Sequence, residues 1–352
     1  MCSLRSPTFD RSPTFDRSHI VSHYTSLPPG KLAAALSTLQ ADIDFRSPFI
    51  AAHEQYISVN GVRIRACHNI VDPNPDPDPD PDPRPIHCFV PGLGGNLEQF
   101  EPLLQLCQTH NTRFVALDLP GFGHSSETPG AEYPMRWVAH TLVDAVHTLT
   151  GAPLLLVGHS MGCYIALHML CNESVSCTGL VMLAPPRPYI SELDPAHPWS
   201  PAQLALAVLW HAPWLLDAYR HWWDQPRGLA CDALVRFFSG DKPSSADRTF
   251  RLLWQFHNNL RTPSASVAGY LRGWSRLPWP AVRERLGHGG PCGPLLVVSG
   301  SRDVVSRPAD VRAFAAELPG AALETVQGCG HNMTFDDPDA VCAVFASVLP
   351  GA

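Results

Sequence analysis

The feature that most constrains this sequence is a short apolar strand that runs directly into a glycine-flanked serine. Residues 153–158 consist mainly of Leu and Val without polar alternation, which is typical of a parallel strand buried on both faces. The strand leads into the motif GHSMG at 158–162, and residues 161–170 have the pattern of a helix. A strand, a sharp turn and a helix in this order would expose the Ser160 hydroxyl above a sheet. The alternative is a serine that only caps the helix after a tight turn.

Apolar runs and helical spacing alternate along most of the chain. A hairpin is predicted at 55–67, where Asn60-Gly61 separates two strand patterns. Further strands are predicted at 86–90, 113–118, 179–183, 295–299 and 322–326, and further helices at 135–149, 307–318 and 337–349. Repeated strand–helix units predict an α/β fold on a mostly parallel, doubly wound sheet.

Residues 186–280 break this alternation, because they contain a helical pattern and no clear strand. Eight of the nine Trp of the chain lie here: Trp199, Trp210, Trp214, Trp222, Trp223, Trp254, Trp274 and Trp279. We interpret the segment as a helical lid inserted between two strands of the sheet. The predicted organisation is a partly disordered N-terminal extension at 1–50, a first part of the core at 51–185, the helical cap at 186–280, and a second part of the core at 281–352.

Two segments have low complexity. The hexapeptide RSPTFD at 5–10 is repeated at 11–16, and residues 72–83 are nearly pure Asp-Pro. Proline removes backbone donors and restricts the preceding residue, so neither a helix nor a sheet can form there. We therefore predict an extended, solvated loop over 72–85, which is a tolerated surface insertion rather than a site.

Composition narrows the class of protein and its partners. Hydrophobic residues make up 45% and charged residues 16%, as in a globular body. The net charge is −7 and no Lys/Arg cluster stands out, which argues against a nucleic-acid partner. The oligomeric state is left open.

The 11 cysteines are an odd number, without zinc-like or paired spacing, and the first residues lack an apolar signal region. These features predict reduced thiols and a cytoplasmic protein. A mitochondrial transit peptide is the alternative, and Asp10 and Asp16 argue against it. No stretch reaches the ~18 apolar residues that would predict a membrane-spanning helix.

A serine hydroxyl needs a base that takes its proton. His331 lies in a Gly-rich loop after the strand predicted at 322–326, where the sites of α/β sheets form. Asp303 follows the strand at 295–299 and is the candidate carboxylate that would orient the imidazole. The order Ser160, Asp303, His331 is the order expected of such a triad. The alternative for Asp303 is a turn residue that merely follows a glycine.

Acyl transfer also needs backbone donors for the developing oxyanion. One candidate is the N–H of Met161, and the other is the N–H of Leu93 in the loop PGLGG at 91–95. Gly92 and Gly94 would let this loop approach the substrate, and His159 beside the serine is a further candidate contact. A phosphate-binding loop is the weaker interpretation, since no Lys or suitable third Gly follows.

These motifs resemble the α/β-hydrolase-fold superfamily, in the branch that carries a helical cap. The resemblance rests on VPGLGGN at 90–96, DLPGFGHS at 118–125, GHSMG at 158–162, and the GSRD and GCGHN that contain Asp303 and His331. It covers roughly 55–349 apart from the Asp-Pro insertion, and it implies an α/β-hydrolase fold with serine-based chemistry. Asp118 is similar to the family's structural turn residue rather than to a catalyst. Many relatives have His where this chain has Pro91, and epoxide hydrolases of the family use Asp in place of Ser160.

A second resemblance is looser. His331 and Asp336 form an H-x4-D pattern that is associated with acyltransferases and with lipid-metabolising relatives. Asp336 and Asp337 also precede Pro338, and we interpret both as caps of the last helix. Lipid acyltransferase is therefore kept as an alternative activity.

The expected function combines the triad with the lid. A lid rich in Trp should line an apolar pocket, with Trp210 and Trp214 as candidate substrate contacts. We predict a serine hydrolase that cleaves an ester or thioester of an apolar acyl substrate, without cofactor or metal, with peripheral membrane contact as part of the hypothesis. The other alternative is a catalytically silent relative that only binds its ligand. The presence of all three triad residues favours a catalyst.

Overall fold

The computed structural model of the protein describes residues 17–71, 84–128, 130, 132–240, 245–287 and 293–350. The hexapeptide repeat and the predicted Asp-Pro loop at 72–83 lie outside these residues. The described chain contains one sheet of eight strands, which are β1 (Glu54–Val59), β2 (Val62–His68), β3 (Ile86–Val90), β4 (Phe114–Leu117), β5 (Leu154–His159), β6 (Cys177–Leu183), β7 (Leu295–Gly300) and β8 (Ala322–Val326).

The strands are arranged in the order β1-β2-β4-β3-β5-β6-β7-β8. The hairpin β1–β2 and the pair β2–β4 are antiparallel, and every other pair is parallel. Asn60 and Gly61 both have positive φ in the hairpin turn, as the Asn-Gly pair predicted. The mostly parallel, doubly wound sheet of the α/β-hydrolase fold is thereby confirmed.

Helices flank the sheet and fill the long connection between β6 and β7. They are α1 (Arg17–Thr25), α2 (Pro29–Leu36), α3 (Leu39–Asp44), α4 (Pro48–Ala52), α5 (Glu101–Thr109), α6 (Met135–His147), α7 (Met161–Leu170), α8 (Pro201–His211), α9 (Trp214–Tyr219), α10 (Asp232–Val235), α11 (Ala246–Arg261), α12 (Ser264–Arg272), α13 (Trp279–Gly287), α14 (Pro308–Ala316), α15 (Met333–Asp336) and α16 (Pro338–Ala346). Short 3₁₀ turns lie at Leu97–Phe100, Ser191–Leu193 and Gln225–Ala230, and a π-helical turn at Arg220–Asp224. Every described element between β6 and β7 is helical, so we name this connection the helical insertion.

Both faces of β5 are buried, which explains the lack of polar alternation in that strand. Leu154 and Leu156 point into a cluster that includes residues of α6 and α7. Leu155 and Val157 point into a second cluster that includes residues of α5 and α16. Because successive side chains of a strand alternate between faces, a strand that is covered twice must be apolar throughout.

The N-terminal segment is helical over α1–α4, where the sequence predicted a partly disordered extension. Tyr24, Leu36 and Phe45 pack in one buried cluster with Phe250 and Trp254 of α11. The segment therefore covers the helical insertion, and burial against α11 stabilises helices that are too short to be stable alone.

Asp118 is fully buried after β4 and accepts hydrogen bonds from the N–H groups of Leu97 (2.7 Å) and His124 (2.8 Å). Its other neighbour is the buried Arg65, whose Nη1 lies 3.6 Å from Asp118 Oδ2 and whose Nη2 donates to Glu98. We name residues 91–95 the oxyanion loop, after their predicted role. The bonds of Asp118 fix the turn that follows this loop, in agreement with the structural role that was predicted for Asp118.

The described residues also bear on the cysteines and on membrane-spanning helices. The nine described cysteines are all free, and seven of them are buried. Among the described helices, none combines the length and the apolar character that a membrane span requires.

Candidate active site

The turn between β5 and α7 holds Ser160 in a strained conformation. Ser160 has φ 53° and ψ −124°, in a region that non-glycine residues rarely adopt. Its N–H donates to the carbonyl of Leu183 at 2.9 Å, which ties the turn to β6. Such strain persists only where the surroundings impose it, and it lifts the side chain out of the sheet at the end of β5.

Glycine is required on both sides of this turn. A Cβ on Gly162 would lie 2.2 Å from the carbonyl oxygen of Val90 and 2.6 Å from that of Pro91. A Cβ on Gly158 would lie 2.7 Å from both the Cα and the N of Cys163. The two glycines therefore let β3 and α7 approach the serine turn closely.

His331 and Asp303 reach Ser160 from the loops after β8 and β7. His331 Nε2 lies 3.0 Å from Ser160 Oγ, and His331 Nδ1 lies 2.8 Å from Asp303 Oδ2. A carboxylate only accepts, so Nδ1 carries the hydrogen and Nε2 is left to accept from the serine hydroxyl. The structure thus brings together the three side chains that the sequence singled out.

Asp303 is held in place by its own loop. Its Oδ1 accepts hydrogen bonds from the N–H groups of Val305 and Ser306, both at 2.8 Å, and its side chain is fully buried. A turn residue would use its carboxylate in this way as well, so both interpretations of Asp303 describe part of its contacts. The second oxygen remains for the imidazole, where it fixes the ring's orientation.

The loop after β3 lies directly against the serine. A Cβ on Gly92 would be 3.0 Å from the Cβ of Ser160 and 3.5 Å from its Oγ, so the loop approaches the hydroxyl at Gly92, the residue before Leu93. Met161 is the first residue of α7, and its N–H consequently has no acceptor within the helix. Both predicted oxyanion donors therefore belong to segments that border Ser160.

The helical insertion supports this loop through a residue that the sequence did not single out. Asn258 of α11 donates from Nδ2 to the carbonyl of Gly94 at 2.8 Å and accepts from Asn96 Nδ2 at 3.0 Å. Thr262 Oγ1 lies 3.4 Å from the same carbonyl. Gly94 has φ 68°, a conformation that favours glycine. An Asn in a helix carries no local signal of such a contact, because its partner lies 164 residues away.

His159, the predicted substrate contact beside the serine, is buried behind the triad. Its ring is buried, Nε2 donates to the carbonyl of His331 at 3.0 Å, and Nδ1 accepts from Gln99 Nε2 at 3.3 Å. Burial, together with the smaller effect of the neighbouring His331, lowers the pKa of His159 to about 3. The neutral ring of His159 therefore holds the backbone of His331 in place through this hydrogen bond.

Trp210 and Trp214, the other predicted substrate contacts, differ in their exposure. Trp214 is 63% exposed and Trp210 is half-buried. Among the described residues, the rings beside His331 are those of His159 and Phe237. A high Trp content does not distinguish a pocket lining from an outer surface, and here Trp214 lies on the outer surface.

Asp336 is not a helix cap. Its Oδ2 accepts from the N–H of Gly330 at 2.6 Å and from that of Ser239 at 2.9 Å, and its Oδ1 pairs with Arg248 of α11. Only Asp337 caps α16, by accepting from the N–H of Ala340 at 3.1 Å. The carboxylate of the H-x4-D pattern thus ties the His331 loop to the helical insertion.

Comparisons with known proteins agree with this architecture. Residues 88–338 match the family model described as alpha/beta hydrolase fold. The chain is 33% identical over 343 residues to Lipid droplet hydrolase 1 of Saccharomyces cerevisiae, covering 89% of this chain and 88% of that protein.

Solved structures show the same fold at low identity. The enol-lactonase from Burkholderia xenovorans has a TM-score of 0.60 and 18% identity, covering 84% of this chain and 99% of the other. The Cif epoxide hydrolase from Acinetobacter nosocomialis has a TM-score of 0.64 and 14% identity, covering 92% and 97%. These two likenesses concern the fold alone, whereas the family match and the yeast relative support a hydrolase.

Proposed function

Since this chain belongs to the α/β-hydrolase-fold family, we propose that it is a serine hydrolase that cleaves esters or thioesters of apolar acyl groups. The observation that carries this proposal is the continuous hydrogen-bonded chain from Ser160 through His331 to the buried Asp303. A serine on a strained turn, within 3.0 Å of a ring nitrogen that is free to accept, has the arrangement of an activated nucleophile.

The proposed reaction has two halves. Ser160 Oγ bonds to the carbonyl carbon while its proton passes to His331 Nε2, and the carbonyl electron pair moves to the oxygen. The tetrahedral intermediate collapses, the bond to the leaving group breaks, and His331 gives its proton to the leaving oxygen or sulfur. Water then attacks the acyl-enzyme by the same route and releases the carboxylic acid. Asp303 stabilises the imidazolium in both halves.

The oxyanion would be held by the N–H groups of Met161 and Leu93. The first lies at the N-terminus of α7, where the helix dipole favours negative charge. The second lies on the loop that Asn258 holds through the Gly94 carbonyl. Removing one such donor in enzymes of this kind typically lowers kcat by about 10²–10³-fold.

The apolar substrate is supported by the composition of the helical insertion and by the sequence as a whole. The helical insertion exposes Trp and Leu side chains, and no cluster of cationic side chains that would select a phosphate or sugar acid was found in the sequence. The yeast relative is named a lipid droplet hydrolase. A cytoplasmic location stays a prediction that accompanies this proposal.

The H-x4-D pattern gives no separate support to an acyltransferase. Asp336 bonds to Arg248 and to loop amides, while the imidazole of His331 uses Asp303. A binding-only protein would not need this hydrogen-bonded triad. The triad therefore favours a catalyst over a binding-only protein, and the family match favours a hydrolase.

Hydrolysis of p-nitrophenyl esters from acetate to palmitate tests the proposal. The wild-type protein should release nitrophenol with a preference for medium or long chains, and Ser160→Ala should lose activity by at least about 10³-fold. Ser174→Ala, an exposed serine beyond the other end of α7, is the matched control and should keep full activity. Equal activity of Ser160→Ala and wild type would overturn the mechanism, and a strong preference for acetate would overturn the apolar substrate.

A further inference from the structure

The helical insertion exposes an unusual number of large apolar side chains in a single stretch, which we call the tryptophan segment (residues 199–223). Trp199 is 83% exposed and Trp222 is 76% exposed. The exposed set of this segment includes Trp199, Leu204, Val208, Trp214, Trp222 and Trp223. Scattered apolar residues are normal on a protein surface, but a concentration of them marks an interaction site.

The helices of this segment have almost no buried face. Leu206 is the only buried residue of α8, and α9 has none. Leu204 and Val208 are four residues apart on α8, so they share one face of that helix, and both are exposed. That face is apolar and points to solvent.

The segment also carries almost no charge. Residues 195–216 contain no Asp, Glu, Lys or Arg, although the whole chain has a net charge of −7. The two charged side chains that follow are bonded to neighbouring residues of the insertion: Asp217 accepts from Ser264 Oγ at 2.5 Å, and Arg220 donates to the Thr262 carbonyl at 2.6 Å. A surface of this kind does not complement an anionic membrane, which attracts Lys and Arg. It complements an uncharged interface, where Trp and Tyr rings settle between water and acyl chains.

The tryptophan segment is connected to the active site by a short series of contacts. Arg220 bonds to Thr262, and Thr262 contacts the Gly94 carbonyl of the oxyanion loop. Leu93 on that loop is itself exposed, and so are Val304 and Val305 directly after Asp303. A lipid surface that contacts the segment would therefore lie next to the loops that surround Ser160.

We infer that the tryptophan segment docks the protein on the surface of a neutral-lipid droplet, a zwitterionic phospholipid monolayer over triacylglycerol. This inference rests on the proposed function, because docking would present acyl esters to Ser160. Insertion of the Trp and Leu side chains supplies the binding energy, and the lack of charge makes binding independent of salt. The yeast relative's name, a lipid droplet hydrolase, is consistent with this partner.

Flotation with artificial droplets of triolein coated with phosphatidylcholine tests the inference. The wild-type full chain should float with the droplets equally at 0.1 M and 1 M NaCl. Raising the salt over this range shortens the Debye length from about 10 Å to about 3 Å, which weakens only contacts between charged groups. The Trp199→Ser/Trp222→Ser variant should lose at least about fivefold in bound fraction, because two large rings no longer insert. Its hydrolysis of soluble p-nitrophenyl butyrate should equal that of wild type.

The control pair is Leu39→Ser/Ile43→Ser on α3, whose side chains are 80% and 66% exposed outside the segment. This variant should float like wild type. Docking is overturned if the tryptophan variant floats unchanged or if the wild-type protein does not bind the droplets. It is also overturned if phosphatidylcholine bilayers bind the protein as well as droplets do, or if gel filtration shows a dimer that the tryptophan variant no longer forms. Ser160→Ala should still float, so loss of catalysis and loss of docking are distinguishable.

Discussion

Replacement of Asp336 by alanine tests how the helical insertion holds the loop of His331. The carboxylate is fully buried and bonds to Arg248, whose side chain is only 11% exposed, and to the N–H of Gly330 directly before His331. The change leaves a buried guanidinium without its charge partner and two backbone amides, of Gly330 and Ser239, without their acceptor. We therefore expect losses of both stability and activity.

The structure allows the size of the loss to be worked out. Removing one partner of a buried ion pair costs about 3–5 kcal/mol, and the lower end applies because Arg248 keeps its bond to the Ser239 carbonyl. The stranded amides of Gly330 and Ser239 add about 1 kcal/mol each. The expected decrease in the free energy of unfolding is thus about 5 kcal/mol, which is comparable to the 5–15 kcal/mol that proteins typically have. The neighbouring Asp337→Ala loses one capping bond, which is worth about 1 kcal/mol.

Urea unfolding followed by Trp fluorescence measures both variants. The double variant Arg248→Ala/Asp336→Ala should be no less stable than Asp336→Ala alone, because it removes the unpaired charge together with its partner. The reasoning is refuted if Asp336→Ala loses no more stability than Asp337→Ala. It is refuted equally if the stability losses of Arg248→Ala and Asp336→Ala simply add in the double variant.

Two further predictions concern the oxyanion loop and the pH dependence of stability. Asn258→Ala should lower kcat by on the order of tenfold, because the Gly94 carbonyl loses its shortest side-chain hydrogen bond. The control Asn259→Ala on the same helix should keep the kcat of the wild type. Equal kcat values of the two variants in a kinetic assay would contradict this role of Asn258. Burial lowers the pKa of His87 from an unfolded value of 6.5 to about 4. Because the unfolded chain binds this proton first, the free energy of unfolding should fall by up to about 3 kcal/mol between pH 6.5 and 4. Urea unfolding across that range should show a shallower fall for His87→Leu, and identical slopes would contradict the assignment.

The strands of the sheet were predictable because each leaves a local signal. β3 and β8 have the predicted bounds, and α7 begins and ends where the sequence placed it. Ser160, Asp303 and His331 follow β5, β7 and β8. Their proximity was predictable because the carboxyl ends of parallel strands meet at one edge of the sheet.

The missed features depend on contacts between distant parts of the chain. Helix α1 buries only Ile20 and Tyr24, so its sequence shows little periodicity, and its stability comes from α11. Asp336 precedes a helix and therefore looks like a cap, but its partner Arg248 lies 88 residues upstream. Local patterns report on short-range geometry, and neither of these pairings is short-range.

The Trp residues illustrate a different limit. Composition predicted a Trp-rich lid over an apolar pocket, with many of the rings in packing contacts. Trp254 and Trp279 are buried in such contacts, whereas Trp199, Trp214, Trp222 and Trp223 are exposed. Helical spacing alone does not decide which face of an inserted helix packs on the core, because apolar side chains of the insertion lie both in buried contacts and on the surface.

The most direct test of the central claim is labelling with an alkyl fluorophosphonate, followed by peptide mapping by mass spectrometry. The reagent phosphonylates a serine only when a neighbouring base activates it, as His331 is positioned to do for Ser160. The account predicts one adduct, on Ser160, that is absent from Ser160→Ala and strongly slowed in Asp303→Ala. A folded wild-type protein that stays unlabelled, or a label on another serine while Ser160→Ala still hydrolyses esters, would contradict it.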